Sequence, residues 1–95
     1  MNEHIQKLIQ DLKNKDVEVR KFATAHIAIY DKEAKEAVPG LIVALRDSNW
    51  DVRNSAASSI GHIGPEAKEA VPYLIELLNA DRDIRITAVL SLGHI

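Results

Sequence analysis

The chain has no cysteine. That absence excludes disulfides, thiolate metal sites and cysteine nucleophiles, and it fits a reducing compartment. No uninterrupted apolar run approaches the roughly 20 residues that cross a bilayer. The opening segment MNEHIQKLIQ is amphipathic and lacks a signal-peptide core, so a cytoplasmic location is the expectation. Positive charge is not in excess: 12 Lys and Arg stand against 14 Asp and Glu, a net charge of −2. Such a balance argues against a chain whose main task is neutralising phosphates. Strand-like alternation is missing, and no glycine-rich phosphate loop follows a strand. What remains is 95 residues, 46% of them hydrophobic, enough for one small domain with its own core.

Repetition organises the rest. EAKEAVP spans Glu33 to Pro39 and recurs from Glu66 to Pro72, an offset of 33 residues. On that offset Leu8, Ile9 and Leu12 fall over Leu41, Ile42 and Leu45, and then over Leu74, Ile75 and Leu78. Downstream, Val19-Arg20 lies over Val52-Arg53 and, after one deletion, over Ile84-Arg85. Ala23, Ala56 and Ala88 follow, and then Ile27, Ile60 and Leu92. Repeats of this length mark solenoids, in which each unit buries its apolar face against its neighbours. A single domain of three units is expected, at about 1–31, 32–64 and 65–95.

Apolar spacing makes each unit a pair of helices. Val38, Leu41, Ile42 and Leu45 keep an i, i+3, i+4, i+7 series, as do Ile5, Leu8, Ile9 and Leu12. Val52, Ala56, Ile60 and Ile63 form the stripe of the second segment. Asp16, Asn49 and Asp81 each precede the shared arginine by four residues and are the expected N-caps. Glu18, Asp51 and Asp83 fall in the first turn, where the helix dipole favours negative charge by about 0.3–1 kcal/mol. Gly64-Pro65 closes the middle second helix, with glycine supplying a left-handed C′ residue. The first unit has Asp31-Lys32 there, so a softer boundary is expected. Proline suits only a helix's first turn, so EAKEAV reads as a short helical turn that bends into the main first helix at Pro39 and Pro72. Glu33, Lys35, Glu36, Glu66, Lys68 and Glu69 would form its solvated face.

The segments DSNWDVRNSAASSIGHIGPEAKEAVPYLIELL and DRDIRITAVLSLGHI, with DVEVRKFATAHI as a degenerate copy, resemble HEAT repeats. They are most similar to the HEAT-like repeats first described in phycobilisome lyases. The resemblance covers nearly the whole chain and implies an all-α, right-handed α-solenoid of helix-turn-helix units. It is nearly silent on activity, because members serve as interaction scaffolds, bilin lyases, metal-dependent hydroxylases and DNA-repair glycosylases. It also implies a polar ladder, in which an aspartate six residues before the arginine pairs between units. Asp47 and Arg53 keep that pattern, but Asn14 and Asn79 replace the aspartate in the outer units. A weakened, partly neutral ladder is therefore expected.

Chemistry has few carriers. His62 and His94 occupy the same position in successive units. Neighbouring helices pack about 8–10 Å apart, while two ligands of one metal each lie about 2.0–2.1 Å from it, so such histidines rarely converge. The hydroxylase members imply His-Glu pairs, and the acid beside a histidine here is Glu3 next to His4, outside the relevant helix. No metal and no other cofactor is expected. Ser55, Ser58, Ser59, Thr87 and Ser91 read as small packing residues, and Ala57, Gly61 and Gly93 would let helices approach closely. No enzymatic activity is expected of this chain. Arg20, Lys21, Arg53, Arg82 and Arg85 gather near the starts of the second helices, but Asp16, Glu18, Asp51, Asp81 and Asp83 are interspersed and offset their pull on nucleic acid.

The last helix is the most informative. At 100° per residue, Val52, Ala56, Ala57, Ile60 and Ile63 fill an arc of roughly 140°, with Asn54 and Ser58 outside it. In the last helix those two positions are Ile86 and Leu90, and the apolar arc widens to roughly 240°. A helix this apolar is normally covered on more than one side. Three coverings compete: a longer array, a second copy of the chain, or a partner's apolar side chains on Ile86 and Leu90. Trp50, the lone tryptophan, either anchors an interface or covers the inter-helix turn. Phe22 and Ile29 replace Ser55 and His62 and give the first unit a different surface. The function expected is a protein-binding or assembly scaffold that displays Trp50, Asn54, Ser58, Ile86 and Leu90, with a possible homo-oligomer through the last helix. The alternative is an accessory, lyase-like or cofactor-handling protein, ahead of a nucleic-acid binder.

Overall fold

The apolar stripes wind into helices where their spacing requires. The structure, a computed structural model, describes residues 2–95. In chain order the helices are α1 (Glu3–Asp11), α2 (Val17–Ile27), α3 (Val38–Ala44), α4 (Trp50–Ile63), α5 (Val71–Ala80) and α6 (Arg85–His94). Short 3₁₀ corners at Ala28–Ala37 and Gly64–Ala70 lead into α3 and α5. No strand occurs among the described residues. Helices α1 and α2, α3 and α4, and α5 and α6 pair, and α2, α4 and α6 stack in series. This is an all-α helical-repeat solenoid.

A single seam runs through the stack. Ile5, Leu8, Ile27, Leu41, Leu45, Ile60, Ile63, Leu74 and Ile84 are all fully buried. Each such side chain contributes about 1.5–3 kcal/mol relative to exposure. The repeated heptapeptide is a corner, as its prolines require. Pro39 and Pro72 sit in the first turns of α3 and α5, and Ala34 and Ala67 leave helical geometry just upstream. Ala34, Ala37, Ala67 and Ala70 are wholly buried between the corner and its neighbours, while the acidic and lysine residues of the motif face solvent.

Helix starts follow their caps in two cases of three. Asp16 accepts from the Glu18 N–H at 2.9 Å and Asn49 from the Val52 N–H at 3.1 Å. Asp81 does not cap α6, which begins only at Arg85. The one-residue deletion shortens this turn, and Asp81 instead ends α5 and accepts from the Asp83 N–H at 3.1 Å. Gly64 has positive φ (78°) with an extended ψ of −143°, so it closes α4 without being left-handed helical. Asp31 makes nearly the same turn, at φ 48° and ψ −134°. The first boundary is softer, since α2 gives way to 3₁₀ turns after Ile27, yet its aspartate is held in a conformation that favours glycine.

The polar ladder is fully charged at both junctions, contrary to the weakened ladder expected. Arg20 donates from Nε to Asp47 at 2.8 Å and from Nη2 at 3.2 Å, and Arg53 donates from Nε to Asp81 at 3.0 Å. The shortened turn carries Asp81 into the place that counting back from Arg85 assigned to Asn79. Asn14 stands at the outer edge of the first unit and serves no arginine side chain with its own; Arg20 Nη1 takes its backbone carbonyl at 2.9 Å.

Candidate functional site

The second helices approach closely because small residues face one another. A methyl at Gly61 would lie 2.7 Å from the Ser91 Oγ and 2.9 Å from its Cα. The Ser91 hydroxyl donates to the Ala57 carbonyl at 2.6 Å, and Ser59 makes the matching bond to the Thr24 carbonyl. These two buried hydroxyls are packing groups, as expected from sequence.

Beside that contact a groove of about 420 Å³ lies between α4 and α6. Asn54, Ser58 and His62 form one wall, and Thr87, Leu90 and His94 the other, with Gly61 and Ser91 between them and Asp31 at one end. Thr87 Oγ1 donates to Asn54 Oδ1 at 2.7 Å, which leaves both amide N–H groups of Asn54 for another acceptor. His62 Nδ1 lies 2.9 Å from the Ser58 carbonyl. A carbonyl only accepts, so Nδ1 is the donor in this bond. The groove thus mixes donors, acceptors and one apolar edge. No group of three or more His, Asp or Glu among the described residues is placed to hold a metal ion.

Of the residues picked from sequence, the structure brings Asn54, Ser58 and Leu90 together in this groove. Trp50 stands at the first position of α4, 42% exposed, and Ile86 on α6 is 76% exposed; neither lines the groove. His62, His94 and Thr87 belong to its walls and were passed over as partner contacts. Their signal was positional, since each falls one turn from Ser58 or Leu90 on the same helix. Val89, 53% exposed, joins Ile86 and the 61% exposed Leu90 on the open face of α6. It stands where the middle unit has the buried Ala57. At the other end Phe22 stacks on His26 with ring centroids 3.7 Å apart and is 53% exposed, and Ile29 is 68% exposed. His4 and Tyr30 are hydrogen-bonded between α1 and the first corner, a contact that nothing in the repeat pattern signals.

Three of the cations near the starts of the second helices meet carboxylates. Arg20 and Arg53 hold the ladder, and Lys21 Nζ lies 3.4 Å from Asp51 and 3.6 Å from Glu18. The Asp51 hydrogen bond, with the charges of Glu18 and Asp51, raises the Lys21 amine above its usual range. For Asp47, burial pushes the carboxyl upward, but the Arg20 hydrogen bonds, the Asn49 N–H and the charges of Arg20 and Arg53 outweigh it and hold the group below the usual carboxylate range.

Stacked helix pairs with a repeated corner and a junction ladder define a helical-repeat protein of the α-solenoid class. The family model for HEAT repeats matches residues 5–94, and the chain belongs to that family. HEAT repeats commonly mediate protein–protein interaction and are generally non-catalytic. The phycobilisome-lyase branch has no support beyond the sequence likeness. No curated protein matches the chain. Among the described residues no helix is long and apolar enough to cross a membrane.

Proposed function

We propose that the chain is a cytoplasmic protein-binding or assembly module. It would act as one domain of units 1–31, 32–64 and 65–95, holding a partner segment in the groove between α4 and α6. The observation that carries this is the groove itself, about 420 Å³ in volume and lined by Asn54, Ser58, His62, Leu90 and His94 on two helices locked in register. The ladder and corners fix that register before any partner arrives, which lowers the ordering cost of binding. Trp50 and Ile86 extend the contact surface beyond the groove. The exposed face of α6 supports a second copy of the chain as one of the partners. Arginine pairing with Asp47 and Asp81 disfavours nucleic acid. No observation favours the accessory, lyase-like alternative.

Selection of a displayed peptide library on the immobilised chain tests the groove. Binders should be recovered whose capture is lost on Ser58→Arg, a substitution that fills the groove at a half-buried position, while thermal melting is unchanged. A library that yields only binders indifferent to Ser58→Arg rejects the assignment.

A further inference from the structure

We propose that the groove between α4 and α6 takes an extended segment of a partner protein that carries a lysine or arginine, and that Asp31 selects this basic side chain. The inference rests on the groove reading above and adds to it the conformation and the charge of the occupant.

Volume sets the conformation. From Asn54 to His62 the helix rises ~12 Å. Spread over that length, the groove's volume of about 420 Å³ is a mean cross-section of about 35 Å². A helix with its side chains is ~10–12 Å across and fills about 80–110 Å², more than twice what the groove offers. An extended chain advances ~3.3 Å per residue, so about four residues span the groove. Its alternate residues fall ~6.6 Å apart, close to the ~6 Å steps between Asn54, Ser58 and His62 at four-residue spacing. The Asn54 amide, whose oxygen is fixed by the Thr87 hydroxyl at 2.7 Å, and the Ser58 hydroxyl then lie against the backbone of such a segment.

Charge comes from Asp31. It stands where the next unit has Gly64 and makes nearly the same turn, with φ 48° against 78°. Glycine takes that turn freely, whereas a side chain there is strained. The strain falls on a residue whose carboxylate lines the groove, is exposed, and pairs with no cation among the described residues. Backbone strain of this kind clusters at binding sites, where the side chain serves the ligand. No lysine or arginine is among the groove's described lining residues to neutralise the carboxylate. By its equivalence with Gly64, Asp31 lies at the end of the groove where α4 stops, and the C-terminal end of a helix also favours a cation. The first corner, α4 and α6 meet inside the chain, so the site is independent of what lies beyond either end of the sequence.

A displayed library of random peptides, selected on the immobilised full chain, tests this. Binders whose capture is lost on Ser58→Arg should share a lysine or arginine at one position. The most enriched of them, made with a blocked N-terminus, and its counterpart with that basic residue replaced by methionine are then titrated by fluorescence anisotropy against the unaltered chain and Asp31→Asn. Asp31→Asn should weaken the basic peptide roughly 2–5-fold, as loss of an exposed ion pair does, and leave the methionine peptide unchanged. Added salt should narrow the difference. Ser58-dependent binders without a shared basic residue, or a basic peptide indifferent to Asp31→Asn, or equal weakening of both peptides, overturn the role of Asp31 while sparing the groove. A gain of helix in the bound peptide, read by difference circular dichroism, overturns the extended conformation. A library that yields only binders indifferent to Ser58→Arg overturns the groove reading and this inference together.

Discussion

Neutralising Asp47 tests whether the ladder, and not the apolar seam alone, sets the register of the units. Asp47→Asn keeps the side-chain shape and an oxygen for the Asn49 N–H, but removes the charge that Arg20 meets through Nε and Nη2. The side chains of Arg20 and Asp47 are only 17% and 12% exposed, so the weak values typical of surface pairs do not apply. Hydrogen bonds to charged groups contribute about 1.5–3 kcal/mol against about 1 for neutral ones, so the loss should be about 1.5 kcal/mol. For a chain of this size that is a fall in Tm of roughly 6–12 °C. The pH dependence follows from the depressed Asp47 pKa. A carboxylate whose folded pKa lies below its unfolded value stabilises the fold above the unfolded pKa, about 3.9, and that stability disappears as pH falls through the folded one. Urea unfolding should therefore show the full deficit at neutral pH and a shrinking one in acid. Equal stability at neutral pH, or a deficit that persists undiminished in acid, would refute the argument.

Asp31→Gly should stabilise the protein: relief of the positive-φ strain, about 1–3 kcal/mol, outweighs the about 0.5–1 kcal/mol of added chain entropy, and thermal melting should rise. The reverse holds at Gly64, where Gly64→Ala should lower the melting temperature because its φ is 78°. Gly61→Ala should cost about 1–3 kcal/mol through overpacking against Ser91, read by chemical denaturation. Gly93→Ala, measured in solutions dilute enough to be monomeric, should raise stability by up to about 1 kcal/mol from helix propensity alone.

The helices were legible because apolar spacing is a property of single segments, and the stripes of Leu41, Ile42 and Leu45 and of Val52, Ala56 and Ile60 need no tertiary knowledge to read. The corner was legible for the same reason, since Pro39 and Pro72 admit only a helix's first turn. The ladder was not. Its partners come from different units, and counting six residues back from Arg85 lands on Asn79, because a deletion changes the turn's shape as well as its length. The start of α6 was misplaced by the same deletion. The groove was half legible: Asn54, Ser58 and Leu90 stood out by their polarity differences, but its walls depend on how α4 and α6 pack at the Gly61–Ser91 contact. That is a feature of packing, which placed His62, His94 and Thr87 in the walls and left Trp50 and Ile86 outside them.

Most of the differences among the second helices fall where they bear on contacts and not on folding. Most seam positions stay Leu, Ile, Val or Ala, as in Leu8, Leu41 and Leu74 or Ala23, Ala56 and Ala88, although Tyr30 and Asp11 stand in the first unit where Ile63 and Ala44 are buried in the second. The variable positions are those that meet the next unit: Lys21, Asn54 and Ile86 form one set, and Phe22, Ser55 and Thr87 the other. Inside the chain such positions need only be satisfied, and the covalent connection already supplies proximity, so the Thr87–Asn54 hydrogen bond suffices. Between separate molecules the contact must also offset lost translational and rotational freedom, which a single neutral hydrogen bond of about 0.5–1.5 kcal/mol net does not do. Apolar burial, at about 25 cal/mol per Å², supplies a larger drive from the same footprint. Polar pairs at the internal junctions and bulky apolar residues at Phe22, Ile86 and Val89 therefore fit the proposed use of the exposed faces in binding a partner.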